Sequence, residues 1–519
     1  MSTLETLIEL DRSRPGLSAQ LTAALRDAIV QGRLAPGTRL PASRGLAADL
    51  RLSRGVVVEA YEQLVAEGRL VARRGSGTTV ASTPAATPAG SRRPDGQPGK
   101  ISSRPDGQPG KISSRPDGQP GKIAVIGGDV AQHADDTRGV LPDYRDLGVV
   151  PLRPGVPDPA MFPREQWRRA YERALLSLPD AALDYGDPAG APRLRTELAN
   201  YLGRVRSARV DPADLLVTTG AAQAFYLVAA ALRARGDSTV GFEDPGSVGI
   251  REHLTTLGLR PVPVPVDADG LDVAALDRTG VRAVVVTPAH QFPTGVVLAP
   301  SRRTALLAWA RRVDGMIVED DYDAEFRYDR DPVGCLQGLA PDLVAHVGSV
   351  SKALAPAMRL GWLAAPPRLR AAARTAKFSA DLGGPVLEQM AFAELLASGG
   401  YDRHLRRARR VHRQRRDAMV DALRRYLPAV QISGIAAGLH LVVELPADVD
   451  DAALTRAARA AGLGPVPLSR LRMPVPAAGG SDTEGSQRRP GPPGLALGYA
   501  AHSPDELVRA IRTLATLID

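Results

Sequence analysis

The chain has 519 residues, a formal charge of +9, 44% hydrophobic residues and 24% charged residues. This composition is typical of a globular protein with roughly two to four domains. The one cysteine, Cys335, excludes an intrachain disulfide, and no apolar run is long enough to span a bilayer. The acidic N-terminal segment lacks the apolar run of a signal peptide, so we expect a cytoplasmic protein without a membrane partner.

The first predicted unit, residues 12–80, consists of short helices followed by a β-hairpin. "LSAQLTAALRDAIVQGRL" places apolar residues on one helical face and ends at Gly32. "LPASRGLAADLRLSRGVVVEAYEQL" predicts two short helices, the first capped by Ser43 and the second following a turn at Leu52-Ser53. "LVARRGSGTTVA" predicts two strands around a Gly-Ser-Gly turn.

The second territory, residues 81–144, is rich in proline, glycine, serine and charge. "RPDGQPGKISS" occurs at 93–103 and again at 104–114, and a truncated copy begins at 115. Such a composition cannot bury a core, which predicts a flexible linker. A recent duplication with no role beyond length is the favoured interpretation of the repeat, and a linker that sets reach is the alternative.

The third territory, residues 145–519, alternates strands and helices. Short apolar runs such as "DLLVT", "RAVVV" and "GMIVEDD" precede helix-length segments, which predicts an α/β domain with a mostly parallel sheet. The longer helices from roughly 400 to 519 predict a smaller C-terminal subdomain. Functional residues should lie at the carboxyl ends of the parallel strands.

Lysine is almost absent from the predicted domains. The chain has 66 Lys plus Arg, of which three lysines lie in the repeat and the others are Lys352 and Lys377. Arginine forms ion pairs equally well, but only a lysine amine condenses with an aldehyde. Lys352, taken alone, would more often be a surface lysine. Its neighbours Ser349 and Arg359, however, are suited to holding a phosphate.

Other strand ends carry complementary groups. Gly220-Ala221 follows the strand "LLVTT" and opens a helix, where backbone N–H groups bind anions. Asp320 and Tyr322, in "EDDYDAEF", supply a carboxylate and a phenol at another strand end. None of these signals is specific alone, but together they predict a pocket for pyridoxal 5′-phosphate, in which the carboxylate keeps the pyridine nitrogen protonated.

These residues carry a resemblance to known families. Residues 145–519 resemble the aspartate-aminotransferase fold (fold type I), and "TPAHQFPTG", "EDDYDAEF" and "GSVSK" resemble the MocR-type branch of the GntR regulators. Residues 12–80 resemble the GntR winged helix-turn-helix through "LPASRGLAADL", "LSRGVVVEAYEQL" and "GSGTTV". The overall expectation is a multidomain protein with an α+β DNA-binding domain, a disordered linker and an α/β cofactor domain.

The resemblance implies a role for each matching residue. Lys352 condenses with the cofactor aldehyde, Asp320 pairs with the pyridinium and Tyr322 bonds the ring hydroxyl. Tyr185 reaches a phosphate in the neighbouring subunit, which implies a homodimer. The residues implied to hold the phosphate are Gly220, Ala221, Ser349 and Arg359.

The winged helix-turn-helix implies double-stranded DNA as a partner. Its second helix enters the major groove and its hairpin touches the backbone or minor groove. The candidate contacts in and before the recognition helix are Arg44, Ser53, Arg54 and Gly55. Those in the wing are Gly75, Ser76, Gly77 and Thr78.

The chain departs from the aminotransferase pattern where the substrate would bind. Phe292 replaces the asparagine of an Asn-Pro-Thr-Gly motif, Ser247 replaces a ring-stacking aromatic, and Gly249 stands where some relatives have an arginine. The arginine that grips a substrate carboxylate falls, in register, on Pro492, with Arg488 and Arg489 displaced; Arg489 is the candidate replacement.

These features favour a transcription regulator that senses the cofactor or an amino-acid-like effector, with at most vestigial aminotransferase activity. The alternative is a working aminotransferase with a DNA-binding appendage. A third hypothesis, a DNA-binding scaffold whose pocket holds no cofactor, predicts a protein without a chromophore. We predict no metal site.

Overall fold

The computed structural model describes residues 10, 17–30, 33–66, 69–73, 77–81, 150–328, 334–434, 436–474 and 491–518. The predicted linker lies outside the described residues except for residue 81, as do Gly75, Ser76, Arg488 and Arg489. Among the described helices, none combines the length and the apolar character needed to cross a membrane.

The N-terminal unit has three helices and a hairpin, as predicted. Helix α3 begins directly after Ser53, whose Oγ accepts a hydrogen bond from the Val56 backbone N–H at 3.4 Å. The prediction that Ser43 caps the preceding helix is wrong, because Ala42 is the N-cap and no side chain caps this end; Ser43 is already the first helical residue. The elements are α1 Leu17–Val30, α2 Ser43–Asp49, α3 Arg54–Ala66, β1 Leu70–Arg73 and β2 Gly77–Val80.

A small apolar core holds this unit together. Leu21 and Leu25 of α1 and Val57 and Leu64 of α3 are fully buried. Tyr61 closes the core towards the segment before α2, since its hydroxyl donates to the Pro41 carbonyl at 2.9 Å. The arrangement fixes the orientation of α3, whose first two residues, Arg54 and Gly55, stay exposed.

The part of the chain described from residue 150 onwards contains a large sheet. It has eight strands in the order β3-β10-β9-β8-β7-β4-β5-β6. The five strands β9, β8, β7, β4 and β5 are parallel, so the prediction of a mostly parallel α/β sheet is confirmed. The strands are β3 Leu215–Thr218, β4 Thr239–Asp244, β5 Arg260–Asp267, β6 Gly270–Leu271, β7 Ala283–Val286, β8 Met316–Asp321, β9 Val344–Ser349 and β10 Gly361–Ala364.

Helices pack on both faces of this sheet, which explains why its central strands are buried along their whole length. One hydrophobic cluster joins the sheet to α6 and another joins it to α9. The helices are α4 Arg164–Ser177, α5 Pro192–Arg206, α6 Ala221–Ala234, α7 Val248–Thr256, α8 Val273–Arg278, α9 Pro300–Arg312, α10 Pro367–Asp381 and α11 Val386–Ala397.

The C-terminal stretch forms a second, antiparallel sheet in the order β11-β12-β14-β13. Its last helix begins with a capping box, in which Ser503 and Glu506 satisfy each other's backbone N–H groups. The elements are α12 Gly400–Tyr426, β11 Gln431–Ser433, β12 His440–Glu444, α13 Asp451–Ala460, β13 Val466–Pro467, α14 Leu468–Leu471, β14 Gly494–Gly498 and α15 Pro504–Ala515.

A buried ion pair anchors the strand that carries the predicted carboxylate. Arg206, at the end of α5, donates to both oxygens of Asp321 at 2.7 and 2.8 Å, and His346 Nε2 lies 3.0 Å from Asp321 Oδ2. Burial alone would raise the pKa of Asp321, but Arg206 and His346 hold it below its usual range. Since successive residues of a strand point to opposite faces, this network leaves Asp320 directed to the other side.

Candidate functional site

Three strand ends meet at one edge of the large sheet. β9 and β8 are parallel neighbours, so their carboxyl ends coincide. β10 runs the opposite way between β9 and β3, and its first residue, Gly361, pairs with both Ser349 and Thr218. Arg359, just before β10, is therefore brought to the same edge as Gly220, just after β3.

This edge contains the predicted phosphate seat, which we define as Gly220, Ala221, Ser349 and Arg359. The Arg359 guanidinium donates through Nη2 to the Thr219 carbonyl. Gly220 has φ +86°, and a Cβ at this residue would lie 2.9 Å from Arg359 Nη2. Because no side chain caps the N-terminus of α6, its first N–H groups remain available to an anion beside the guanidinium.

Lys352 follows β9, and its side chain contacts Gly155, which lies almost 200 residues earlier in the chain. Its Nζ donates to the Gly155 carbonyl oxygen at 2.5 Å. Burial lowers the pKa of Lys352, and Arg153 acts in the same direction, while Asp323 and Asp320 oppose the shift. A lowered pKa increases the fraction of uncharged amine, which is the form that attacks an aldehyde.

Asp320 lies at the carboxyl end of β8, and only 5% of it is exposed. Burial raises the pKa of Asp320 to about 7, and repulsion from Asp321, Asp323 and Glu243 adds to the effect. A cation placed against this carboxyl group would favour its ionised form. The site therefore fits a protonated pyridine nitrogen, and the seat and the amine nearby fit the phosphate and aldehyde of the same molecule.

Tyr322 lies beside a buried histidine and a second aspartate. His290 Nδ1 is 3.0 Å from the Tyr322 hydroxyl oxygen and 2.9 Å from Asp323 Oδ2. Burial raises the pKa of Tyr322 well above its ordinary value, as does the charge of Asp323, so the phenol keeps its proton. His290 and Asp323 were not among the predicted site residues, although both lie within the motifs "TPAHQFPTG" and "EDDYDAEF".

Phe292 forms part of an aromatic wall next to Tyr322. The two rings are in an edge-on arrangement with centroids 6.4 Å apart, and the His440 ring lies 5.1 Å from Phe292. Burial lowers the pKa of His440 to about 3, so its imidazole is neutral at physiological pH. The departure at Phe292 thus replaces a polar amide with an apolar surface.

Ser247 has a structural role in place of the expected aromatic ring. It is the N-cap of α7, and its Oγ accepts a hydrogen bond from the Ile250 backbone N–H at 3.5 Å. A Cβ at Gly249, in the first turn of this helix, would meet no atom within 4 Å. The position of Gly249 is therefore open.

The predicted carboxylate clamp stays a prediction, because Arg488 and Arg489 lie outside the described residues. At the predicted register, Pro492 is instead approached by Arg472, whose Nη2 donates to the Pro492 carbonyl at 2.6 Å. Burial lowers the pKa of Arg472, although Asp451 and Asp244 oppose the shift. Sequence reasoning missed this residue because it follows α14 directly and is far from Pro492 in the chain.

Tyr185 is 84% exposed in this single chain. It lies in a segment whose leucines are also exposed: Leu175, Leu176 and Leu183 at 53, 81 and 63%. Large apolar side chains clustered on a surface are typical of an interface. The role of Tyr185 in a neighbouring subunit stays a prediction.

The N-terminal unit presents its predicted contacts in part. Arg44 of α2 and Ser53, Arg54 and Gly55 at the start of α3 are all exposed. In a helix-turn-helix, the second helix of the motif enters the major groove and the first helix comes just before it in the chain. These positions lie on those two helices. None of the ion pairs between described residues involves Arg54.

The wing is described only from Gly77 onwards. Gly77 is exposed and has φ +85°, and a Cβ there would lie 3.2 Å from Arg39 Nε. Thr78 is half-buried and its carbonyl accepts from the Leu40 backbone N–H at 2.8 Å. The exposed Arg39, which sequence reasoning missed, adds a cation beside Gly77, at the turn end of the hairpin.

Two protein-family models match the chain. Residues 17–80 match the model described as "Bacterial regulatory proteins, gntR family", and residues 155–478 match "Aminotransferase class I and II". The fold and the site therefore define a GntR-type helix-turn-helix joined to an aminotransferase class I and II domain, a fold that implies binding of pyridoxal 5′-phosphate.

Relatives share this order of domains over nearly the whole chain. The chain is 34% identical to the "HTH-type pyridoxine biosynthesis transcriptional regulator PdxR" of Corynebacterium glutamicum, over 95% of this chain and 93% of that protein. It is 32% identical to the "Probable rhizopine catabolism regulatory protein MocR" of Rhizobium meliloti, over 98% and 95%. The chain belongs to the MocR-type branch of the GntR family of transcription regulators, which confirms the predicted resemblance and favours a regulator over an enzyme.

The fold is also found in solved aminotransferases. The kynurenine aminotransferase of Pyrococcus horikoshii matches 76% of this chain and 95% of its own, with a TM-score of 0.64 and 25% identity. An aminotransferase of Thermococcus profundus that is described as acting on multiple substrates matches 73% and 94%, with a TM-score of 0.63 and 25% identity. The predicted fold class is therefore confirmed.

The phosphate seat predicts the effect of adding one methyl group. In Gly220→Ala, the new Cβ would displace the Arg359 guanidinium, and we expect the affinity for pyridoxal 5′-phosphate to fall about tenfold, the loss of roughly one charge-assisted hydrogen bond. An absorbance titration measures this. Gly236→Ala is the matched control, because Gly236 has φ +87° and no atom within 4 Å of its Cβ position. Equal affinities for the two variants would contradict the assignment of the seat.

Proposed function

We propose that this chain is a pyridoxal 5′-phosphate-dependent, DNA-binding transcription regulator whose aminotransferase-like domain senses the cofactor or an amino-acid-like effector. The observation that carries the proposal is the half-buried Lys352 amine, which lies at the same sheet edge as the phosphate seat and Asp320. The chain joins this edge to a winged helix-turn-helix whose recognition helix is exposed at Arg54 and Gly55.

In this proposal each group of the site has a separate task. Arg359, Ser349 and the N-terminus of α6 would hold the phosphate, Asp320 would pair with the pyridine nitrogen, and the Lys352 amine would hold the aldehyde end of the cofactor. The cofactor, when bound, supplies an electrophilic aldehyde and an electron-withdrawing ring. The protein supplies an amine whose pKa is lowered and partly shields it from water.

The substrate side of the site supports sensing over turnover. Ser247 caps a helix where a ring-stacking aromatic would lie, and Phe292 presents an apolar edge. Catalysis needs interactions that are stronger in the transition state than in the ground state, and these replacements remove candidates for them. Ligand binding can still act as a signal if it favours one dimer geometry over another.

A homodimer is part of the proposal. The exposed leucines around Tyr185 are matched by Phe378 and Leu382 near the end of α10, which are 55 and 45% exposed. The two segments are neighbours, since Arg374 of α10 forms an ion pair with Asp187 at 3.1 Å. Burial of this surface in a second copy would carry Tyr185 towards the partner.

Lys352→Ala and Lys352→Arg should both abolish the visible absorption band that remains with the protein after gel filtration in pyridoxal 5′-phosphate. Arginine retains the charge but cannot condense with an aldehyde. Lys377→Arg is the control, because Lys377 is buried and its Nζ lies 2.6 and 2.7 Å from the Asp381 oxygens. The variants of Lys352 should still bind DNA. A stable band in Lys352→Arg would refute the assignment.

Turnover separates the regulator from an aminotransferase with a DNA-binding appendage. The observation that supports this second function is that the amine, the carboxylate and the phosphate seat lie at one sheet edge. Purified protein is given pyridoxal 5′-phosphate, amino acids and a keto acid, and product formation is followed over many equivalents. We expect the bound cofactor to be converted without further product accumulating over many equivalents. Sustained product formation would favour the enzyme.

Arg54→Ala should weaken specific operator binding by about 1–3 kcal/mol, if its guanidinium reads a base edge at the start of α3. Fluorescence anisotropy with the DNA upstream of the chain's own gene measures this at several salt concentrations. Arg169→Ala, on the exposed face of α4, is the charge-matched control and should leave affinity unchanged. Equal operator affinity in Arg54→Ala and wild type would show that α3 is not the reading helix.

A further inference from the structure

His290 occupies a position for which the proposed function assigns no task. Its side chain is 3% exposed and that of Asp323 is 1% exposed. A single ring nitrogen, Nδ1, lies within hydrogen-bond distance of two oxygens, at 2.9 Å from Asp323 Oδ2 and 3.0 Å from the Tyr322 hydroxyl. One nitrogen thus links the phenol predicted to contact the cofactor to a buried carboxylate.

The chemistry of the carboxylate decides which atom carries each proton. A carboxylate oxygen only accepts, so the hydrogen between Asp323 and His290 is on Nδ1. A ring nitrogen that carries a hydrogen has no lone pair with which to accept a second one. The contact with Tyr322 is therefore Nδ1–H directed towards the phenol oxygen. The phenol's own hydrogen has two acceptors within reach, the Asp323 carboxylate, whose hydrogen bond helps to raise the pKa of Tyr322, and the ring oxygen of a bound cofactor.

We propose that His290, held by Asp323, is a positioning residue that fixes Tyr322 as a hydrogen-bond donor towards the ring oxygen of the bound cofactor. This inference rests on the proposed function, in which Tyr322 contacts that oxygen. It assigns to His290 and Asp323 a task that is separate from binding the phosphate and from the amine.

The packing around His290 prevents the imidazole from turning away. A Cβ at Gly438, which has φ +73°, would lie 2.1 Å from His290 Cε1 and 2.7 Å from Asp323 Oδ2. The glycine backbone thus lies directly against the pair. On the other side the His440 ring is 5.2 Å away and is itself held by a hydrogen bond between Nε2 and the Pro293 carbonyl at 3.0 Å.

The position of the phenol's hydrogen has a measurable consequence at Lys352. A phenol hydrogen directed at the ring oxygen of a bound cofactor would lower the affinity of the Lys352 nitrogen for a proton. Without His290, the Asp323 carboxylate would lose one donor and attract the phenol's hydrogen more strongly, so this nitrogen should keep its proton to higher pH. The charged and titratable groups acting on the phenol and this nitrogen are Asp320, Asp323, Glu243, Arg153 and His440.

The test is a pH titration of the visible absorption band of the protein loaded with pyridoxal 5′-phosphate. In His290→Phe, the midpoint of the band's change should rise by about one pH unit, the equivalent of roughly one net hydrogen bond. Tyr322→Phe should shift the midpoint in the same direction, and the double variant should shift it no further. His290→Asn, whose amide N–H lies near the position of Nδ1, should restore the wild-type midpoint.

Two results would overturn the inference alone: a wild-type midpoint in His290→Phe while Tyr322→Phe shifts it, or additive shifts in the double variant. If His290→Phe does not fold, the ¹⁵N spectrum of histidine-labelled wild-type protein, assigned with His290→Asn, decides; a His290 Nδ1 without a hydrogen overturns the inference. Absence of any bound visible band in wild type would instead overturn the proposed function, and this inference with it.

Discussion

The site depends on one constraint, the half-buried position of the Lys352 amine in the field of Asp323 and Asp320. An amine that is withdrawn from water favours its uncharged form, and the Gly155 carbonyl accepts its hydrogen at 2.5 Å. Asp323 and Asp320 oppose this shift, so burial and charge balance each other in setting the pKa of the amine. Arginine, which the chain uses for nearly every other cation, cannot be balanced in this way because it remains protonated.

The order of strands explains why these groups meet. Antiparallel β10 between β9 and β3 brings Arg359 next to Gly220, and the parallel pair β8 and β9 brings Asp320 next to the strand that leads to Lys352. The same edge has lost the aromatic at Ser247 and the amide at Phe292. A site that has the groups predicted to hold the cofactor and lacks those expected for a substrate is suited to a regulator, and this agrees with the family to which the chain belongs.

Local patterns predicted the elements well, and long-range contacts account for what they did not predict. Buried runs such as "MIVEDD" specified strands whose ends carry Asp320 and Ser349. Ser43 was wrongly placed as a cap, because the helix already begins at Ser43, one residue earlier than predicted. His290, Gly155 and Arg472 act on residues that are distant in the chain, and no local spacing indicates such pairs. Arg489 and the linker lie outside the described residues.

The most direct measurement reduces the native protein with borohydride in the presence of pyridoxal 5′-phosphate and maps the labelled peptide. We expect the label on Lys352 alone, with Lys377 and the three lysines of the repeat unlabelled. A label on another lysine, or no label, would contradict the claim that the chain holds its cofactor through the amine at this sheet edge.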